Sequence, residues 1–253
     1  MRLKQLSLTL AGGALLALAA QMPAHADPVK NVVIVHGALA DGSGWRKVHD
    51  LLEDKGYNVT IVQPPMASLE DDVSATHRIL DLQDGPSVLV AHSYGGMVVT
   101  QAGSRENVAG LVYVAAFQPD EGENLLDLAG RTPPATTGIK ATGDGFLYLD
   151  PQVFAADFAA DVPAADARFM ASSQVLPSKA AFETKIKNPA WKSKRSWALV
   201  PTDDRAIHPE LMRSMAERAG STTVEIKGSH AVFMAQPDAV AGLIEDAATS
   251  LSK

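Results

Sequence analysis

The sequence predicts an α/β fold: a mostly parallel sheet of about six strands, helices on both faces, and a helical cap inserted in the middle of the chain. Three observations carry that expectation. Short β-branched runs alternate with helical runs, and such alternation with short connections builds parallel βαβ units. The strand runs are nearly continuous in apolar residues, as in strands buried on both faces. One block, residues 118–194, breaks the rhythm with Pro and Gly, and it is too long for a plain loop in a compact domain.

The elements follow in order. Residues 29–35 form the first strand, and a loop occupies 36–42. Trp45, Val48, Leu51 and Leu52 mark the buried face of a helix, with Gly56 where a C-terminal capping glycine belongs. Residues 57–62 are the second strand, stopped by Pro64 and Pro65. A helix over 68–82 opens with Ser68 and Asp71 at capping-box spacing, Asp replacing the usual Glu. Past the turn Asp84-Gly85-Pro86 lie a third strand at 87–91 and a helix from about Gly95. The fourth strand is 111–115. Within the irregular block, 153–158 and 164–171 are the clearest helical patterns. Residues 196–200 resume as a strand. A helix over 209–219 has Pro209 in its first turn and Gly220 past its end. Residues 222–226 are the last strand and 237–251 the last helix.

Composition bounds what such a domain does. The chain has 253 residues, 46% hydrophobic and 20% charged, which suits one domain with a sizeable core. Arg2 and Lys4, an apolar stretch at 8–20 and Ala24-His25-Ala26 read as a secretory signal peptide over residues 1–26, cut before Asp27. The expected location is therefore the periplasm or the exterior, with residues 27–253 as the mature domain. The apolar stretch is shorter than the roughly 20 residues of a spanning helix, so no stable membrane association is expected. The formal charge is −7 and no basic patch appears, which argues against a nucleic-acid partner. The chain has no Cys, which excludes disulfides, a thiol nucleophile and any thiolate metal site. The oligomeric state is left open.

The chemistry concentrates in the loops that follow strands. Ala91-His92-Ser93-Tyr94-Gly95-Gly96 lies between a buried strand and a helix, the setting of a nucleophile elbow. Small flanking residues permit the tight turn, and Ser93 stands at the helix N-terminus, where a developing oxyanion is favoured. Ala91 occupies the place of the usual first glycine. A serine hydroxyl needs a base. His230 follows the last strand in Lys227-Gly228-Ser229-His230, at the same sheet edge as Ser93. Of the other histidines, His25 leaves with the leader. His49 and His77 fall within helical runs, and His208 precedes a helix start. His36 and His92 lie at the site in positions suited to packing or orientation. The acid is expected at Asp204, with Asp203 the near alternative and Asp120 the distant one. The backbone N–H groups of Tyr94 and Ala38 are the expected oxyanion donors, and Gly37 lets backbone approach the site. No dinucleotide fingerprint, P-loop lysine or paired metal-spaced histidines occur, so no cofactor and no metal are expected. Gly42-Ser43-Gly44 is a loop feeding the helix at Trp45. Trp45, Phe117, Met170, Phe233 and Met234 could each line an apolar pocket or serve as core.

Several segments in order carry a resemblance: Val35-His36-Gly37-Ala38 with Gly44-Trp45, the elbow, Val114-Ala115-Ala116-Phe117-Gln118-Pro119-Asp120, Met170-Ala171-Ser172-Ser173, Asp204 to Pro209, and Gly228-Ser229-His230. Together they resemble the plant methyl-esterase and hydroxynitrile-lyase branch of the α/β-hydrolases and its bacterial relatives. The resemblance implies the α/β-hydrolase fold and a buried pocket beneath the cap for small, rather apolar substrates. It supports Ala38 and Tyr94 as oxyanion donors. Lyases of this branch carry threonine at the place of Gly37 and lysine at the place of Ala231, so the resemblance implies an esterase. The expectation is a cofactor-independent serine carboxylesterase acting on small esters through Ser93, Asp204 and His230. The alternatives are cyanohydrin cleavage by the same three residues and a non-catalytic small-molecule-binding module.

Overall fold

The computed structural model describes residues 29–252; the expected leader at 1–26 lies outside them. The first half of the chain alternates strictly: β1 (Asn31–Val35), a 3₁₀ turn at Gly42–Trp45, α1 (Arg46–Glu53), β2 (Asn58–Val62), α2 (Leu69–Leu80), β3 (Ser87–Ser93), α3 (Gly95–Ala102) and β4 (Val108–Ala116). A segment of short elements follows: α4 (Leu125–Arg131), β5 (Ile139–Ala141), β6 (Leu147–Leu149), α5 (Pro151–Phe158), α6 (Ala164–Ser172) and α7 (Lys179–Glu183). The alternation then resumes with β7 (Arg195–Pro201), α8 (Pro209–Arg218), β8 (Thr222–Ile226), α9 (Val232–Ala235) and α10 (Pro237–Leu251).

Six strands form one parallel sheet in the order β2-β1-β3-β4-β7-β8. Every residue of β1 and β3 is buried, as the unbroken apolar runs required. The strand order reverses between β1 and β3: from β1 the chain moves outward to β2 and then returns to the other side. In open parallel sheets, ligands bind at the carboxyl ends of the strands flanking such a reversal.

The helix ends follow local chemistry. Ser68 caps α2 by accepting from the Asp71 N–H at 3.1 Å. Asp71 does not complete a capping box; its carboxylate accepts from the Ser68 hydroxyl at 2.7 Å. The shorter Asp side chain bonds the cap's hydroxyl where a Glu would bond its backbone N–H.

The segment expected to be a helical cap is not wholly helical. It contains a two-stranded antiparallel hairpin, with Ile139 opposite Leu149 and Ala141 opposite Leu147. Three-residue strands are too short to show a period of two, so the pattern that marks longer strands never develops. The helices α4 and α7, of seven and five residues, escape detection for the same reason.

Candidate active site

Four residues other than glycine adopt left-handed backbone among the described residues: Leu39 (φ 64°), Met66 (φ 60°), Ser93 (φ 52°) and Ala115 (φ 46°). They lie just past β1, just past β2, at the end of β3 and near the end of β4. Each such conformation is costly, and a cluster at one sheet edge marks a site that the surrounding structure holds in place.

The elbow shows how it is held. At Gly96 a Cβ would stand 1.8 Å from the Phe117 carbonyl oxygen. The start of α3 is thus pressed against the end of β4 closely enough that only glycine fits. Gly37, in the loop after β1, is hemmed in likewise: its Cβ would come within 2.6 Å of Ser93 Cβ and 2.8 Å of His92 Nδ1. The β1 loop therefore lies directly on the elbow, and Ala38, Ser93, Tyr94 and His230 line one cavity.

His230 and Asp204 meet from loops 26 residues apart: His230 Nδ1–H donates to Asp204 Oδ2 at 2.7 Å. The second carboxylate oxygen, Oδ1, accepts from the Ala206 and Ile207 amides at 2.8 and 2.9 Å. With Nδ1 occupied, Nε2 is the nitrogen free to take a proton in the neutral ring. Asp203 is exposed, and Asp120 pairs with Lys192 Nζ at 2.6 Å. The structure thus brings together Ser93, Asp204 and His230 and leaves both alternative acids outside.

Three consecutive residues fix the His230 loop. The Ser229 amide donates to Asp161 Oδ2 at 2.9 Å, and its hydroxyl donates to Asp161 Oδ1. The His230 carbonyl accepts from His92 Nε2–H at 3.0 Å. The Ala231 amide donates to the Phe158 carbonyl at 2.9 Å. His92 is fully buried among Trp45, Phe158, Phe233 and His230. Burial, reinforced by the neighbouring His230, pushes its pKa well below the ordinary value, so the ring stays neutral and its Nε2–H remains a donor. From sequence His92 suits packing or orientation, and no signal marks Asp161, which lies between α5 and α6.

The remaining histidines do other work. His36 is buried and donates through Nδ1 to the Gly37 carbonyl at 2.8 Å; burial lowers its pKa. His77 Nε2 reaches the Ala102 carbonyl at 3.3 Å, His49 pairs with Asp50, and His208 Nδ1 accepts from the Glu210 amide. Among the described residues, no group of three or more His, Asp and Glu is arranged to hold a metal ion.

The cavity measures about 80 Å³. Leu39, Phe117, Leu125, Phe158, Phe182 and Ile207 supply much of its apolar wall, and among the described residues Tyr94 and His230 are its only titratable lining residues. Of the five apolar side chains weighed from sequence, Phe117 lines it. Trp45 and Phe233 stack on one another beneath His92, with centroids 4.7 Å apart, and Met170 is buried in α6. With Met234 they lie outside the lining.

The model of the alpha/beta hydrolase family matches residues 32–243. The chain is 26% identical to salicylic acid-binding protein 2 of Nicotiana tabacum over 85% of its own length and 96% of the relative's. It is 26% identical to a pyrethroid hydrolase of Sphingobium wenxiniae, over 86% and 87% of the two chains. A crystal structure of a pyrethroid hydrolase superposes with a TM-score of 0.76 at 23% identity, covering 89% of this chain and 100% of that one, a likeness of fold.

Proposed function

We propose that this chain, which belongs to the α/β-hydrolase family, is a carboxylic ester hydrolase that works through an acyl-enzyme on Ser93. The observation that carries this reading is the juxtaposition of a left-handed Ser93 and an Asp204-bound His230 in one cavity. Ser93 Oγ attacks the ester carbonyl carbon while His230 Nε2 takes its proton. The oxyanion rests on the Ala38 and Tyr94 amides. The carbonyl re-forms, the bond to the alcohol oxygen breaks, and His230 returns the proton to the departing alcohol. Water then repeats the sequence on the acyl-enzyme, giving the carboxylic acid and free Ser93. Asp204 stabilises the imidazolium at each step.

A wall that among the described residues holds no acid or base other than Tyr94 and His230 favours small, uncharged, apolar esters. Similar proteins named as a pyrethroid hydrolase, a carbendazim hydrolyzing esterase and a polyneuridine aldehyde esterase support ester hydrolysis and no single substrate. Cyanohydrin cleavage is disfavoured by packing. A side chain at position 37 would meet Ser93 and His92, and the buried Ala231 brings no positive charge to the place where the resembled lyases carry lysine. Export, read from residues 1–26, belongs to the same proposal; N-terminal sequencing of the secreted protein should begin at Asp27.

The test is hydrolysis of p-nitrophenyl esters from acetyl to octanoyl by the wild type beside Ser93→Ala. Turnover that falls by roughly three orders of magnitude or more in the variant supports the acyl-enzyme. Turnover that survives in the variant overturns it. A folded wild type that cleaves no ester turns attention to mandelonitrile cleavage and to binding without turnover.

A further inference from the structure

One fully buried carboxylate plays no part in that mechanism. Asp72, on α2, is 0% exposed. Its Oδ2 accepts from the Tyr94 hydroxyl at 2.7 Å and its Oδ1 from the Met66 amide at 2.8 Å. Burial raises its pKa against the pull of those two bonds. An apolar side chain of similar size would fill the same space at less cost to the fold. What the carboxylate holds is therefore informative. Tyr94 contributes the amide proposed as an oxyanion donor, and its ring packs on Phe182 of α7 at 5.3 Å between centroids. Met66 is one of the four left-handed residues, and its carbonyl accepts from the Ser178 amide at the start of α7 at 2.8 Å.

We propose that Asp72 is a positioning residue for the oxyanion cradle: by gripping the Tyr94 hydroxyl and the Met66 amide together, it fixes the Tyr94 backbone against the elbow and hangs α7 on the same anchor. The proposal rests on the oxyanion reading given above. Tyr94 is buried to 1% exposure, so its side chain has no solvent to replace the lost acceptor. Removing the grip lets Tyr94 shift. Displacement of a donor by a fraction of an ångström weakens stabilisation of the transition state more than binding of the neutral ester.

The experiment compares wild type, Asp72→Asn, Tyr94→Phe and the double variant in kcat and KM for p-nitrophenyl acetate. It adds the inhibition constant of a trifluoromethyl ketone, whose hemiketal oxyanion requires the cradle. Asp71→Asn, an exposed neighbour, is the control. Each single variant should lose kcat by about 10- to 100-fold, less than the ~10²–10³ of deleting a donor outright. KM should stay within twofold, inhibitor affinity should fall in step with kcat, and the double variant should resemble the singles. A smaller folded fraction would lower kcat and leave the inhibition constant unchanged, so that result overturns the proposal. So does a Tyr94→Phe protein with wild-type kcat, which decides the matter if Asp72→Asn fails to fold. A wild type that turns over no ester and ignores the ketone overturns the esterase reading beneath it.

Discussion

The interior of the sheet and its carboxyl edge are built on opposite terms. Inside, β1 and β3 are fully buried and largely aliphatic. At the edge, a few residues on, the backbone turns left-handed four times, and His36, His92, Ser93, Asp204 and His230 are buried together. The interior stabilises the fold; the edge spends part of that stability on a fixed arrangement of polar groups. Substitutions should therefore separate the two regions: edge changes remove activity at little cost to folding, and interior changes do the reverse.

The largest effect is expected at the nucleophile. Ser93→Gly should abolish ester hydrolysis as Ser93→Ala does, by roughly three orders of magnitude or more. It should also relieve the φ of 52° that Ser93 adopts. A gain of about 1 kcal/mol follows for a residue freed from left-handed strain, or ~2–4 °C in Tm for a chain of this size. Thermal unfolding of the two variants side by side measures it. Equal melting points would mean that the elbow stores no strain.

Leu89→Ala is the converse. Leu89 sits in mid-β3, fully buried, and its loss should cost about 2–5 kcal/mol. At a temperature where the variant remains folded, kcat per folded molecule should match wild type. A tenfold fall in kcat there would show that the interior and the edge are not separable.

The same division explains what the sequence disclosed. The strand at Thr222–Ile226 and the helix at Pro237–Leu251 are legible to the residue because sustained runs and a Pro at the helix start are local signals. Chain order and strand ends led to Ser93, Asp204 and His230, which the structure brings together. Asp72 and Asp161 were not legible. Asp72 looks like an ordinary acid in the first turn of a helix, and Asp161 like a solvated cap residue. Tyr94 lies 22 residues from Asp72 and Ser229 lies 68 from Asp161, contacts that only the folded chain creates. The hairpin Ile139–Ala141 and Leu147–Leu149 was missed because it is stabilised by its neighbours. The Leu147 amide bonds the Pro177 carbonyl and the Leu149 amide the Gln174 side chain, and no pattern of its own announces it.

Asp161 tests whether the cap belongs to the edge. Asp161→Ala removes both acceptors of Ser229, while the loop carrying His230 keeps its ties to His92, Phe158, Asp203 and Asp204. A fall in kcat of about tenfold is expected, with a modest loss of stability, since a buried amide left unpaired costs ~1–3 kcal/mol. Restoration of kcat by Asp161→Asn, which returns one acceptor oxygen, would locate the effect in that hydrogen bond. Unchanged kcat in the alanine variant would make the cap a cover alone.

The smallest effect concerns Glu123, where the cap leaves the sheet. Its carboxylate accepts from Arg218 Nη1 and Nη2, each at 2.9 Å, from Arg131 Nη1 at 2.6 Å and from the Asp120 amide at 2.7 Å. Its carbonyl accepts from the Ile186 amide at 2.9 Å. Burial alone would raise its pKa, but the Arg218 and Arg131 bonds outweigh it and hold the carboxyl at about 2, below the ordinary 4.5. A carboxyl depressed on folding adds stability that is fully present above the unfolded pKa and is lost as pH falls through the folded one. Wild type should therefore lose stability between pH 4.5 and about 2, in part through this group. Glu123→Gln should be less stable at pH 7 and flatter across that window, as read by urea midpoints at half-unit steps. Parallel curves for the two proteins would show that Glu123 does not anchor the junction. A variant that flattens while keeping its neutral-pH kcat would show that this anchor serves the fold and leaves the edge chemistry untouched.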